Sequence, residues 1–316
     1  MSYLYAFLTV FLIVYLSTPF LIKLAIKLDF LDKPTERKKQ KNAIPLIGGV
    51  GIYIAFFIGY IIFMRPLRKE FPYILIASLL VFGIGMVDDW YKTKGKEFGI
   101  LPRLIIQIVA AIMIYHAGII FNGFTNPFTN KYIVLPGAIG FLLSITWIFG
   151  LTTVINWSDG LDGLAGSLSA IAGSTLFVVA LAKNQTTSAM MSILLVGALL
   201  GFLKYNKYPA KIYIGDSGAN FSGFLLAIIA LDGAFKQATT ISIVIPILAL
   251  GVPIFDNVYV VIKRIINGKP IYRADSSQIH HRLLSAGLNQ KQVFMFITLI
   301  SVCLSLCSII ILLLEV

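Results

Sequence analysis

The amino-acid sequence predicts an all-α, polytopic membrane protein with about ten transmembrane helices, and three observations predict it. Apolar runs of about 20 residues, the length that lets a helix cross a bilayer core, recur along the whole chain. Hydrophobic residues make up 58% of the 316 positions and charged residues 13%, against roughly 25% charged in a soluble domain. Lysines and arginines also concentrate in alternate loops between the apolar runs.

The predicted spans follow one another without an evident repeat and form a single transmembrane domain that covers residues 1–316. We place them at 3–25, 43–64, 71–87, 101–120, 132–150, 163–182, 187–203, 213–233, 239–262 and 292–314. Polar motifs intrude on one end of the third span and of the eighth. The first apolar run has no basic stretch before it and no small-residue cleavage site after it, so we interpret it as a retained span.

The distribution of basic residues predicts that both termini lie outside and that the odd-to-even connections lie in the cytoplasm. The predicted cytoplasmic loops are 26–43, 88–101, 151–163, 204–213 and 263–291. Twenty of the 26 lysines and arginines fall in or beside these loops. Insertion into a lipid bilayer therefore explains much of the net charge of +12, and no nucleic acid is needed as a partner.

The acidic residues are also unevenly distributed, and topology does not explain this because Asp and Glu contribute little to the positive-inside rule. Of the 14 acids, only Glu70, Asp232 and Glu315 fall outside, and the rest lie in or beside the predicted cytoplasmic loops. Several stand at the ends of apolar spans, where an unpaired carboxylate is costly. This cost indicates that the acids have a function on the cytoplasmic face.

The first acidic motif is the pair Asp88-Asp89, which directly follows the apolar run that ends at Val87. Two adjacent carboxylates at a membrane boundary suggest a shared cation, a general base, or one proton held between them. The alternative is a polar helix end that meets water, and the pair alone does not decide between these interpretations.

The second motif spaces Asn156, Asp159 and Asp162 three residues apart and includes Gly160 and Gly163. On a helix this spacing places neighbouring side chains on one face, and the glycines allow a ligand to approach the backbone closely. No other predicted cytoplasmic loop lacks both Lys and Arg. Two acids without a base are difficult to explain as a solvated surface, so the motif indicates a binding site.

Two further motifs complete the set. Asp216 stands among glycines at the start of the eighth span, where it either presents a carboxylate to a ligand or caps the helix. The last motif runs from Asp275 to Arg282 within the predicted cytoplasmic loop 263–291, and it includes His280 and His281, two of the three histidines. Histidine moves protons and binds metals, and arginine binds phosphate with a planar fork, although a solvated loop is the alternative.

The donor atoms of these motifs indicate a cofactor. Carboxylates without a Cys and His ligand set favour Mg²⁺, or Mn²⁺, over Zn²⁺. Magnesium usually binds through one or two carboxylates together with substrate phosphates. With lysines and arginines nearby, these oxygen donors predict a phosphate-bearing substrate whose negative charge the site must neutralise.

Taken in order, the motifs resemble the polyprenyl-phosphate N-acetylhexosamine-1-phosphate transferases over nearly the whole chain. The matching stretches are Asp32–Pro34 with Arg37–Lys38, Ile44–Gly49, Gly85–Asp89, Arg103–Gln107, Asn156–Gly163, Gly215–Gly218, Pro253–Asp256 and Ile279–Leu283. The chain is most similar to the bacterial branch that uses UDP-GlcNAc and undecaprenyl phosphate. It is less similar to the UDP-MurNAc-pentapeptide branch, which tends to carry three consecutive histidines. Gln40 and Gln278 depart from the first branch, which commonly has His at both positions.

The resemblance implies a role for each candidate residue. Catalytic roles go to Asp88, Asp89, Asp159, His280 and His281. Substrate-binding roles go to Lys33, Arg103, Asp162 and Arg282, and metal-binding roles to Asp216 and Asn156. In this scheme the adjacent carboxylates orient or deprotonate the lipid phosphate or help to hold the metal. Asp162 contacts the uridine and Asp159 supports the site, and the His-His-Arg segment closes over the sugar phosphate.

The implied reaction transfers GlcNAc-1-phosphate from UDP-GlcNAc to undecaprenyl phosphate, releases UMP, and supplies cell-envelope polysaccharide or teichoic acid synthesis in the bacterial plasma membrane. The sequence leaves open a phospho-MurNAc-pentapeptide transferase or another UDP-N-acetylhexosamine as the donor. It also leaves open either direct attack or a covalent phospho-aspartate at Asp88 or Asp89. A lipid-phosphate receptor and an ion-coupled transporter are the non-enzyme alternatives. The one-sided acids and the lack of repeats argue against a transporter. A homodimer is compatible with the resemblance.

Overall fold

A computed structural model describes residues 1–34, 42–126, 129, 131–233, 240–270 and 276–315 of the chain. The described helices are α1 (Ser2–Lys27), α2 (Gly48–Phe63), α3 (Phe71–Thr93), α4 (Ile100–His116), α5 (Gly137–Trp157), α6 (Leu164–Ala182), α7 (Thr186–Asn206), α8 (Gly215–Asp232), α9 (Thr240–Ala249), α10 (Gly251–Ile266), α11 (Ile279–Ser285) and α12 (Gln290–Glu315). Two short antiparallel hairpins pair β1 (Leu31–Asp32) with β2 (Ile44–Pro45), and β3 (Gly123–Thr125) with β4 (Tyr132–Val134).

Each predicted span overlaps a helix, as expected for an all-α polytopic membrane protein. Among the described residues, six helices are long and apolar enough to cross a membrane, namely α1, α3, α5, α6, α7 and α12. The bent pair α9–α10 makes a seventh if it is counted as one span. Helices α2 and α4 are apolar but only 16 and 17 residues long. The number of ten spans and the orientation of the termini stay predictions.

The predicted span 239–262 is not one continuous helix. Helix α9 ends at Ala249, α10 begins at Gly251, and the pair is bent by 83°. Pro253 is tolerated in the first turn of α10, but it could not continue a straight helix, because its ring would meet the carbonyl group four residues earlier. Gly251 lets the bend pack against α12, since a Cβ there would lie 2.8 Å from Cδ1 of Leu304.

The two hairpins were not predicted, because strands of two or three residues are too short to show an alternating pattern. In the first, Leu31 pairs with Pro45 and Asp32 with Ile44. This pairing holds the chain that enters α2 beside the end of α1. The second hairpin connects α4 to α5 at the other end of the bundle.

Helix α8 lies at the centre of the bundle, and all 18 of its residues are buried. It packs against α2, α3, α5, α6 and α7. A helix that is apolar or small on every side must be enclosed by its neighbours. Gly223 allows the closest approach to α5, because a Cβ there would lie 2.7 Å from the carbonyl oxygen of Leu151. At 1.5 Å per residue the helix is about 27 Å long, close to the thickness of a bilayer core.

Arg68 forms ion pairs at the C-terminal end of α8. Arg68 lies between two acids, with Nε 3.0 Å from Oε2 of Glu70 and a guanidinium nitrogen 3.1 Å from Oδ2 of Asp232. The Ser188 hydroxyl donates a hydrogen bond to Asp232 at 2.9 Å. Two of the three acids predicted to lie outside are therefore paired with a base, and they join the α2–α3 connection to α7 and α8.

Candidate active site

The segments predicted to face the cytoplasm meet at the N-terminal end of α8. The Tyr213 N–H donates to the Pro45 carbonyl at 2.8 Å, which joins the first segment to the fourth. The Ala210 N–H donates to Oδ2 of Asp162 at 2.9 Å, which joins the fourth segment to the third. The second segment contributes Asp89, which contacts the first turn of α8. Aspartates from distant parts of the sequence therefore lie at one end of the bundle.

Asp89 is fully buried and caps α8. Its Oδ1 accepts a hydrogen bond from the Asp216 N–H at 2.8 Å, and its Oδ2 accepts one from the Ser217 N–H at 3.0 Å. A carboxylate at this position pairs helix N–H groups that have no partner within the helix and interacts favourably with the helix dipole. Gly215 is required beside it, because its φ is +71° and a Cβ would lie 2.5 Å from Oδ2 of Asp89. Asp89 therefore fixes the position of Asp216.

Asp88 and Asp216 form an ion cluster with two cations. The Arg103 guanidinium lies 2.7 Å from Oδ2 of Asp88 and 3.9 Å from Oδ2 of Asp216. The Lys92 Nζ lies 2.6 Å from Oδ1 of Asp216 and 4.0 Å from Oδ2 of Asp88. The Asp88 side chain is 3% exposed, whereas those of Lys92 and Arg103 are 40% and 29% exposed. An anion that arrives from solvent therefore meets the cations before the carboxylates.

Lys92 was not among the predicted site residues, because in the sequence it is only one of many basic residues in the predicted cytoplasmic loops. Its spacing held a signal that could have identified it. Lys92 follows Asp88 by four residues, so the two side chains lie on the same face of α3. The contact with Asp216, 124 positions away, depends on the packing of α3 against α8 and has no local signal.

The loop between α5 and α6 lies within electrostatic reach of this cluster. Burial, followed by the negative charge of Asp216, raises the pKa of Asp159 to about 8. Burial also raises the pKa of Asp162, although the hydrogen bond from the Ala210 N–H opposes this effect. The Nδ2 of Asn156 is buried, and within the described part of the chain it has no hydrogen-bond partner. The second motif therefore places the Asp159 carboxyl within electrostatic reach of Asp216, whereas Asp162 is bound to the Ala210 N–H.

The histidine segment packs onto this loop. The Gln278 side chain donates to the Trp157 carbonyl at 2.6 Å. His280 lies directly against Gly160, where a Cβ would overlap the imidazole ring, and the rings of His280 and His281 are 4.2 Å apart between centroids. Burial, followed by the proximity of His281, lowers the pKa of His280 to about 3. His280 is therefore a neutral, enclosed imidazole.

Comparison with known proteins identifies the family. Glycosyl transferase family 4 matches residues 71–234, from the start of α3 to just beyond α8. A Bacillus subtilis protein, "Probable undecaprenyl-phosphate N-acetylglucosaminyl 1-phosphate transferase", is 37% identical over 96% of this chain and 84% of its own length. The chain belongs to glycosyl transferase family 4. Proteins of Escherichia coli K12 and Yersinia pestis, both named undecaprenyl-phosphate alpha-N-acetylglucosaminyl 1-phosphate transferase, are 28% and 26% identical. They match 92% and 91% of this chain and 79% and 78% of their own lengths.

Membership of family 4 confirms the resemblance that the motifs predicted, whereas the roles of individual residues stay predictions. The structure brings four of the predicted residues into one contact network: Asp88, Asp89, Arg103 and Asp216. The other acids of the set, and His280, lie in the adjoining loop and segment.

Two predicted substrate-binding residues have partners outside this network. The Lys33 ammonium is exposed and lies 2.7 Å from Oδ2 of Asp29. The Arg282 guanidinium lies 3.3 Å from Oδ1 of Asp256. The motif residues Arg37, Lys38, Gln40 and Asp275 lie outside the residues that the structure describes.

The oxygen donors of this family 4 site fit a magnesium ion that is bound partly by substrate. In the described ranges, no three Asp, Glu, His or Cys side chains are arranged to hold a metal ion by themselves. The Asp216 carboxylate and the side-chain oxygen of Asn156 are hard oxygen ligands of the kind that Mg²⁺ prefers, and magnesium commonly needs only one or two carboxylates when phosphates supply the rest. The Lys92 ammonium already lies 2.6 Å from Asp216, so a divalent ion at this carboxylate would share it with Lys92.

We expect the His280 imidazole to stay neutral between about pH 5 and 8, because burial lowers its pKa to about 3, far below the ordinary value of about 6.5. A ¹⁵N-histidine NMR titration measures this directly. One imidazole should show no titration across this range, and the substitution His280→Asn should remove that signal. Because only the unfolded state takes up this proton, the contribution of His280 to the free energy of unfolding decreases as pH falls below about 6.5. Titration of His280 near pH 6 would contradict the prediction.

Proposed function

We propose that this chain transfers GlcNAc-1-phosphate from UDP-GlcNAc to undecaprenyl phosphate and releases UMP. The observation that carries the proposal is the cluster of Asp88, Asp216, Lys92 and Arg103 at the buried N-terminal end of α8. The names of the family 4 relatives support the sugar and the lipid. The bias of Lys and Arg supports a plasma membrane location with this end of α8 toward the cytoplasm.

The chemical difficulty of this reaction is the repulsion between two anions. An oxygen of the lipid phosphate attacks the β-phosphorus of UDP-GlcNAc, the bond from that phosphorus to the bridging oxygen breaks, and UMP leaves. Lys92 and Arg103 are the more exposed members of the cluster and would bind the phosphate oxygens as they approach. The buried Asp88 and Asp216 hold the two cations in place.

Direct attack is the mechanism that we propose. A covalent route requires a free carboxylate oxygen as the nucleophile. Both oxygens of Asp89 accept hydrogen bonds from α8, and the side chain is fully buried. Oδ2 of Asp88 is paired with Arg103, and the Asp88 side chain is only 3% exposed. These contacts support structural and electrostatic roles for the pair.

We propose that Mg²⁺ is the cofactor and that Asp216 and Asn156 hold it together with substrate phosphates. When bound, the ion would neutralise negative charge on the diphosphate. Lys92 and Arg103 already lie beside the carboxylates, so the ion and these two protein cations would neutralise the diphosphate charge together.

The test is UMP release by purified protein in detergent or nanodiscs. We expect release to require UDP-GlcNAc, undecaprenyl phosphate and Mg²⁺ together. Chelation by EDTA should lower the rate about 100-fold or more, because a metal ion contributes several kcal/mol of charge stabilisation, and Mg²⁺ or Mn²⁺ should restore it. UDP-GalNAc and UDP-MurNAc-pentapeptide serve as competing donors. A faster reaction with either would replace the sugar in the proposal, and release of no UMP from any donor would reject it.

A further inference from the structure

We propose that Asp256 is a positioning residue that holds the segment Gln278–Arg282 against the α5–α6 loop. The inference rests on the proposed function and adds to it a role for the Pro253–Asp256 motif, which the ion cluster does not use. Asp256 lies in the second turn of α10, beyond the bend that separates α10 from α9.

The carboxylate of Asp256 makes two kinds of contact with the histidine segment. Its Oδ1 and Oδ2 lie 2.9 and 3.1 Å from the Ile279 backbone nitrogen and accept its N–H, which fixes the chain immediately before His280. Its Oδ1 also lies 3.3 Å from a guanidinium nitrogen of Arg282. One side chain therefore holds both ends of the His-His pair.

A second residue of α10 completes the attachment. The Arg282 guanidinium carbon lies 4.2 Å from the centroid of the Tyr259 ring, a distance at which a cation interacts favourably with the ring face. Asp256 and Tyr259 are three residues apart and so lie on one face of α10. The Asp256 carboxylate and the Tyr259 ring therefore both contact the Arg282 guanidinium and fix its orientation.

The opposite side of the segment contacts the α5–α6 loop. Gln278 donates to the Trp157 carbonyl, and His280 occupies the space that the missing side chain of Gly160 leaves. The segment is therefore clamped between α10 and the residues next to Asp159. Loss of the Asp256 contacts would release it from one side and move His280 away from Gly160.

The attachment of the histidine segment to Asp256 predicts a specific kinetic effect. If the histidine segment closes over the donor, Asp256→Asn should raise the KM for UDP-GlcNAc by about 10-fold or more, because hydrogen bonds to a charged group contribute about 1.5–3 kcal/mol. The KM for undecaprenyl phosphate should change less than about twofold. Glu97→Gln, which neutralises an exposed acid at the same end of the bundle, is the matched control and should leave both values unchanged.

A double-mutant cycle separates positioning from general loss of structure. If Asp256 acts through His280, the combined effect of Asp256→Asn and His280→Ala should be clearly smaller than the product of the two single effects. Asp256→Glu, which keeps the charge but shifts the oxygens, should change the donor KM in the same direction and by less. It also serves as the test variant if Asp256→Asn does not fold.

The results distinguish this inference from the proposed function. An unchanged donor KM in the Asp256 variants, equal increases in both KM values, or multiplicative effects in the cycle would overturn the positioning role while wild-type turnover persists. Absence of UMP release in the wild-type protein would instead reject the proposed function.

Discussion

Asp216→Asn is expected to lower kcat/KM for UMP release about 1,000-fold, because loss of the proposed metal ligand removes transition-state charge stabilisation of several kcal/mol. The Asp216 carboxylate accepts a hydrogen bond from the Lys92 ammonium at 2.6 Å and lies 3.9 Å from the Arg103 guanidinium. A neutral amide there leaves both cations beside Asp88 alone. It also removes the carboxylate that we propose for Mg²⁺.

The measurement is steady-state UMP release at several Mg²⁺ concentrations. Asp216→Glu, which keeps the charge, should retain more activity than Asp216→Asn, and the control Glu97→Gln should match the wild type. Thermal unfolding in detergent checks that each variant is folded. Folded Asp216→Asn protein with more than about a tenth of wild-type activity would contradict a central role for this carboxylate.

The acids of the site could be found from the sequence because their location is costly. Asp88, Asp89 and Asp216 stand at the ends of apolar segments, where a carboxylate is retained only if it has partners. The structure provides those partners for all three. The sequence did not distinguish the roles of the two adjacent aspartates, although their partners in the structure differ. Asp89 caps α8, whereas Asp88 pairs with Arg103, and that difference depends on how α3 packs.

The partners of these acids could be predicted less well. Lys92 shares a helix face with Asp88, so local spacing held part of the information. Asp256 lies more than 20 residues from the backbone N–H and the guanidinium that it binds, and no pattern in the sequence marks such contacts. Tertiary pairings of this kind become visible only once the helices are placed.

The fold, too, was predictable from the sequence only where it depends on local properties. Helix positions followed from apolar periodicity and length, which are local properties. The break between α9 and α10 lies beside Pro253, which could have indicated it, but the 83° bend depends on packing against α12. The complete burial of α8 was also not predicted, because its polar first turn reads in sequence like a surface motif.

Close backbone packing against the first turn of α8 leads to the second large effect, which we expect from Gly85→Ala. A Cβ at Gly85 on α3 would lie 2.6 Å from Cα of Ser217, 2.7 Å from its backbone nitrogen and 2.9 Å from the carbonyl carbon of Asp216. All three are backbone atoms, so the start of α8 must move as a unit. A displacement of about 1 Å at a catalytic group can lower the rate about 100-fold, and we expect kcat/KM to fall by that factor.

Gly83→Ala is the matched control, because Gly83 lies on the same helix and a Cβ there would meet nothing within 4 Å. Both substitutions replace a helical glycine by alanine and so gain about 1 kcal/mol of helix propensity. They differ in what the new methyl group contacts. Overpacking costs about 1–3 kcal/mol, so Gly85→Ala should remain folded, with a lowered unfolding temperature, while Gly83→Ala keeps full activity. Equal kcat/KM values for the two variants would show that the position of Asp216 does not depend on the contact between α3 and α8.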